Sequence, residues 1–256
     1  MRIIWAMTHT MIKELVRKKD FYVFFIFMLI LLGLLSSQNF FGVQGISRYI
    51  SDLGYSIMML LSFIIAVTFA AKQFPSEISS KTIYPLLAKP VSRYMVVLGK
   101  FCGSMTVAVI SFTLFFVVFA VFCIATRSGT SAILLVQGFI FGVLFLGMVS
   151  ALVMFFSNFM TLAANVTLSF LLYVLIMGFS SVIRDAALVS GNATSTAYAV
   201  IYYLMPHFDF YDLRIRITHA WDPLPFWIVT AVTFYTVFYC LGLLFLAGIV
   251  FERKKL

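Results

Sequence analysis

The chain has 256 residues, 63% of them hydrophobic and 11% charged, with 30 Phe and a net charge of +9; soluble domains sit near half apolar and a quarter charged. A mean hydropathy of +1.08 exceeds what one buried core can hide, which excludes a soluble globular domain and makes the bilayer the natural solvent. The basic excess does not point to nucleic acid, because Lys and Arg fall in short clusters between apolar runs and form no stripe interleaved with stacking aromatics.

Residues 1–20 come first in chain order. Ile4, Met7, Met11, Ile12 and Leu15 recur at three- and four-residue steps while Arg2, Lys13 and Arg17 fall largely on other faces. That spacing predicts an amphipathic helix lying in the inner interface with Trp5 at headgroup level. An ordinary basic tail is the plainer alternative. No small-residue cleavage site follows the first apolar run within signal-peptide length, so its helix is expected to be retained.

A span needs roughly 20 mostly apolar residues as helix, since lipid satisfies no backbone polar group. Six stretches qualify: 21–41, 53–71, 101–125, 132–156, 160–182 and 225–251. With the N-terminus inside, thirteen basic residues, among them Lys13, Lys72, Lys89 and Arg253, fall on the cytoplasmic side. Only Arg48, Arg127, Arg184, Arg214 and Arg216 fall outside. This positive-inside bias places both termini in the cytoplasm. The expected fold is an all-α polytopic membrane protein, a single membrane domain with six transmembrane helices and no internal repeat.

The longest external segment, 184–224, mixes aromatics from Tyr202 to Trp221 with Asp209, Asp212, Arg214, Arg216 and Asp222, which suggests short helices at the outer interface. The Asn192-Ala193-Thr194 tripeptide is too frequent a pattern to carry weight.

Several chemistries lack their residues. The spans hold essentially no ionisable group away from their ends, and His9, His207 and His219 all lie outside them. Proton relays, ion coupling and intramembrane metal sites need such groups. Cys102, Cys123 and Cys240 show no pairing or ligand spacing and are expected to pack as small residues. No P-loop is present, so no cofactor is expected in this chain and ATP and Mg²⁺ would be bound by a separate subunit. The chain is thus not expected to be an enzyme by itself. A membrane enzyme would have to draw on Asp209, Asp212, Arg214 and His219.

The cytoplasmic segment 72–100 is the most informative. Ile83, Leu86 and Leu87 step along one face of a short helix that Pro90 ends or kinks, ringed by Glu77, Lys81, Lys89 and Arg93. Such a helix could dock in a groove on a soluble partner, or lie on anionic lipid of the inner leaflet.

The series Glu77, Lys81, Thr82, Ile83, Leu86, Leu87, Ala88, Lys89, Pro90, Val91, Ser92, Arg93, Gly99 and Lys100 resembles the first cytoplasmic loop of type-2 ABC exporter permeases, the ABC-2 family. The amphipathic N-terminal helix, the six spans and the outer segment agree with it. The resemblance implies a coupling helix within 72–100, with Glu77, Lys81, Thr82, Ile83, Tyr84, Leu86, Leu87, Lys89, Pro90 and Arg93 contacting an ATPase subunit. Lys81 departs from the glycine commoner there. The resemblance also implies a pairing of two permeases, as homodimer or heterodimer, in a prokaryotic cytoplasmic membrane.

Three weaker features remain. Gly138 and Gly142 form a GxxxG that serves internal packing or a dimer seam. Phe24, Phe25 and Phe27 with Phe112, Phe115, Phe116 and Phe119 either pack in core and lipid or line a path for apolar cargo. Asn158 and Asn165 suit interhelical hydrogen bonds or a substrate contact. The functional expectation is ATP-driven export of an amphipathic or hydrophobic substrate. The alternative is a mechanotransmitter that passes ATPase work to an extracytoplasmic assembly without moving cargo.

Overall fold

The computed structural model describes residues 2–17, 19–37, 46–79, 93–125, 129–188, 198–200, 202–203 and 205–253. Among these, all regular structure is helical: α1 (Arg2–Arg17), α2 (Lys19–Ser37), α3 (Ile46–Ala71), α4 (Pro75–Ser79), α5 (Arg93–Ala125), α6 (Ala132–Ser157), α7 (Leu162–Leu188), a 3₁₀ turn at Phe208–Tyr211, α8 (Arg214–Thr218) and α9 (Phe226–Arg253). The chain is an all-α polytopic membrane protein.

Five stretches are long and apolar enough to cross a bilayer: Ile50–Ser79, Arg93–Ala125, Ala132–Ser157, Leu162–Ser180 and Phe226–Arg253. They correspond to the second to sixth of the expected spans. The first is present as α2, of which Phe21–Leu34 is the apolar run among the described residues. Residues 38–45, which would extend it towards position 41, lie outside the described residues.

Several hydroxyls within these helices bond to their own helix: Ser62 donates to the Met58 carbonyl at 2.8 Å, Ser111 to Val107 at 2.9 Å and Thr236 to Val232 at 2.7 Å. Bonding back one turn lets a polar residue sit in an apolar bundle without a distant partner. Between α5 and α6 the chain turns at Gly129, whose φ of 77° is the left-handed conformation that glycine adopts freely. Ser131 then caps α6 by accepting from the Leu134 amide at 3.3 Å.

α3, α5 and α6 form the centre, with α1 laid along α5 and α9 packed on α6. Phe63, Phe112, Phe115, Phe119, Phe141 and Phe145 are fully buried there. The phenylalanines of α5 are therefore core and not the wall of an open path. Gly142 faces the Phe112 ring so closely that an added Cβ would lie 2.2 Å from its Cζ, and one on Gly138 would lie 2.9 Å from Ile217 Cδ1. The GxxxG serves internal packing. Asn165 donates to the Val153 carbonyl of α6 at 3.0 Å, and Asn158 to the Ala247 carbonyl of α9 at 3.5 Å. α7 and α9 are the least covered of the long helices.

The 205–224 segment folds back onto the bundle at the end where α3 and α6 begin. It buries Phe208, Tyr211, Leu213 and Ile217 in the main core. The Gln137 side chain fixes it by donating to the Leu224 carbonyl at 2.8 Å and accepting from the Leu224 amide at 2.9 Å. Tyr211 shares a 2.7 Å hydroxyl contact with Thr236 of α9.

Candidate coupling joint

At the opposite end of α3 the chain leaves the bundle through a turn at 72–74 and the one-and-a-half-turn helix α4. Pro75 opens α4, where its missing N–H costs nothing and its fixed φ suits a helix start. The turn closes on itself through Ser76 N–H to the Lys72 carbonyl at 3.1 Å and Ile78 N–H to Phe74 at 3.0 Å. This geometry turns Phe74 inward, fully buried and 4.9 Å from the ring of Phe251 on α9.

Lys100, two turns into α5, is the buried charge that organises the joint. Its side chain is 1% exposed, and its ammonium lies 2.5 Å from Glu77 Oε2 of α4. It also donates to the Gln73 carbonyl at 2.6 Å and stands 4.9 Å over the Phe74 ring. A buried ammonium is tolerated only when paired and hydrogen-bonded, and here carboxylate, carbonyl and ring face supply those partners. α4 is thereby tied to α5 at a point remote in sequence.

α1 joins the same structure. Met11 and Leu15 are buried, and Gly103 on α5 lies so close that an added Cβ would sit 2.3 Å from Met11 Sδ. Glu14 forms an ion pair with Lys72. Gln73 donates to the Phe69 carbonyl at 2.8 Å and meets Met11 Sδ at 3.6 Å. Trp5 faces outward, 72% exposed and stacked on His9 at 5.3 Å. Between α1 and the elbow remains a cavity of about 430 Å³, with Thr10, Glu14, Gln73, Glu77 and Lys100 in its wall.

Arg93, the first residue of α5, donates to the Phe251 carbonyl at 3.0 Å and the Glu252 carbonyl at 2.9 Å. These carbonyls lie in the last described turn of α9. A cation there also complements the helix dipole. Tyr94 lies against Gly248, where an added Cβ would be 2.2 Å from its ring.

Of the ten expected partner-contacting residues, the structure thus places two, Glu77 and Arg93, and both make intramolecular ties. Lys81, Thr82, Ile83, Tyr84, Leu86, Leu87, Lys89 and Pro90 lie outside the described residues. Sequence reasoning missed Gln73, Phe74 and the Glu14–Lys72 pair, and took Lys100 only as the end of a motif; a lysine directly against the 101–125 apolar run was the available signal.

Three of the four residues considered for a membrane enzyme, Asp212, Arg214 and His219, are engaged elsewhere. Arg214 pairs with Asp52 of α3 at 3.5 Å and with Asp212 at 4.0 Å, and His219 stacks on Trp221 at 6.0 Å. His207 is buried, and burial pushes its imidazole below the ordinary histidine value, with Asp209 opposing.

A family model described as ABC-2 family transporter protein matches residues 5–256. The chain belongs to the ABC-2 transporter family. No curated protein matches it significantly. As an ABC-2 permease it is the membrane component of an ABC-type transporter, a family whose permeases work with an ABC ATPase. The buried tie between α4 and α5 therefore lies in the segment where the sequence placed the loop facing that partner.

Proposed function

We propose that this permease is the membrane subunit of an ABC exporter, in which a separate ATPase binds ATP and Mg²⁺ and drives an amphipathic or hydrophobic substrate outward. The observation that carries this reading is the pair Glu77–Lys100, which fastens the cytoplasmic elbow to α5 through a buried charge. The loop 72–100, through the residues from Glu77 to Arg93, would meet the ATPase, with both termini on the same cytoplasmic side of a prokaryotic inner membrane. A force on the elbow would then pass to α5 through Lys100, to α1 through Glu14 and Lys72, and to α9 through Arg93.

Coupling is a population shift: closure of the ATPases favours one permease arrangement by as much as the closed form binds it better. The joint suits this because the elbow is paired to α5 through Glu77 and Lys100 and to α1 through Lys72 and Glu14. Two copies of the permease, or one copy and a relative, would complete the transporter.

A mechanotransmitter role gains from one observation. The 205–224 segment is keyed to α6 through Gln137 and to α9 through Thr236, so motion of those helices would reach it directly.

Affinity purification of the chain from its native membrane tests the first claim: a co-purifying ABC ATPase whose hydrolysis the permease stimulates is expected, and recovery of the permease alone contradicts it. Reconstituted liposomes separate the two roles, since a mechanotransmitter hydrolyses ATP and moves no cargo.

A further inference from the structure

A cavity of about 520 Å³ opens beneath the 205–224 segment, at the end of the bundle away from the coupling joint. Tyr55, Phe145, Tyr173, Phe208 and Tyr211 stand in its wall. Phe145 of α6 lies 6.0 Å from Tyr173 of α7, 5.5 Å from Phe208 and 6.1 Å from Tyr211. Asp209, Asp212 and Arg214 stand among its lining.

The charges around it do not balance. Arg214 is shared between Asp52 and Asp212, whereas among the described residues no Lys or Arg pairs with Asp209. Among the described side chains, Asp209 and Asp212 of the lining and Asp52 beside it thus stand with one guanidinium, in a protein whose overall charge is +9. Tyr55 of α3 supplies an independent sign of an absent ligand. It lines the same cavity, is 1% exposed, and its buried hydroxyl has no hydrogen-bond partner among the described residues. Buried polar groups without partners are rare and call for an explanation.

We propose that this cavity binds an organic ammonium carried on an apolar or aromatic body. The rings accept such a cation face-on, the unpaired Asp209 supplies its counter-charge at the mouth, and the Tyr55 hydroxyl accepts an N–H bond within. Phe145, Met59 and Met177 receive the apolar body. The inference deepens the export reading by naming a cargo class, and rests on that reading only for its place in transport.

Isothermal titration of the purified full-length chain in dodecyl maltoside, with no ATPase present, provides the test. The probes are phenethylammonium, neutral 2-phenylethanol and anionic 3-phenylpropionate. Saturable binding of one phenethylammonium per chain is expected, with the other two at least about ten-fold weaker. Asp209→Asn should weaken it by about ten-fold, Tyr55→Phe should weaken it several-fold, and Asp222→Asn, outside the cavity, should not. Loss in either cavity variant with unchanged melting temperature supports the site. Equal binding of the three probes, or undiminished ammonium binding in both cavity variants, overturns it.

Nanodiscs of phosphatidylethanolamine and of phosphatidylglycerol identify the source of the ammonium. Probe binding blocked only by the former assigns the site to a lipid headgroup, and binding open in both assigns it to a soluble amine. Capture of an ATPase does not depend on Asp209, so failure here leaves the coupling reading standing, and failure of that capture leaves this binding result standing.

Discussion

Lys100 and Glu77 meet at 2.5 Å across 23 positions of sequence, the lysine buried and the carboxylate one-third exposed. This pair and the 2.6 Å bond from Lys100 to the Gln73 carbonyl tie the elbow to α5, beside the packing of Phe74 with Val96 and Val97. Because Lys100 is enclosed, the two substitutions differ in consequence. Glu77→Gln leaves an uncompensated buried ammonium, whereas Lys100→Met removes the charge itself. Glu77→Gln should cost about 1–3 kcal/mol, below the full range for a buried pair because Glu77 is partly solvated. The double variant should recover part of that loss. Thermal melting of all four proteins in detergent gives the coupling term.

Gly142 and Gly178 offer a contrast between crowded and open positions. Gly142→Ala would press a methyl group into the Phe112 ring and should lower stability by about 1–3 kcal/mol through overpacking. Gly178→Ala has no atom within 4 Å of the new Cβ and should be neutral or stabilising by up to about 1 kcal/mol. Melting temperatures moving in opposite directions would confirm the packing.

Arg93→Ala frees the carbonyls of Phe251 and Glu252 at the end of α9. Amide exchange over the last turn of α9 should speed up while that of α6 stays unchanged. Exchange that does not accelerate would show that the guanidinium does not hold this helix end.

Gln137 matches both backbone groups of Leu224, its amide N–H donating to the carbonyl while its amide oxygen accepts from the N–H. Gln137→Leu should cost about 1–3 kcal/mol by stranding those groups. Limited proteolysis between residues 219 and 225 should become faster, with cleavage elsewhere unaltered.

His207 carries a pH signature. Its folded-state value lies below the ordinary one near 6.5, so the unfolded chain binds the extra proton first and protonation favours unfolding. Stability should therefore fall as pH drops through and below about 6.5 and be regained above it. His207→Phe should flatten the melting profile in that window.

Much of this arrangement was legible in the sequence, and the reasons differ by element. Hydropathy alone marks α3, α5, α6, α7 and α9, because lipid demands long uninterrupted apolar helices. Small residues at 138 and 142 announce a close approach, though not that Ile217 and Phe112 fill it. The first span is less plain: composition extends it to position 41, while the described apolar run of α2 stops at Leu34. Aromatic and charged residues in 202–222 suggested short helices at an interface, and short helices form; that Phe208 and Tyr211 penetrate the core is a three-dimensional fact no local pattern encodes. The same holds for Glu14 with Lys72 and Glu77 with Lys100. Each residue reads as a solvated charge until the fold brings its partner from tens of positions away.

ATP hydrolysis by the captured ATPase, measured with the permease in nanodiscs, tests the coupling role of the joint most directly. Glu77→Gln and Lys100→Met should each keep the ATPase bound yet abolish its stimulation by the permease. Full stimulation in both variants, with melting data showing the tie broken, would contradict transmission through this pair.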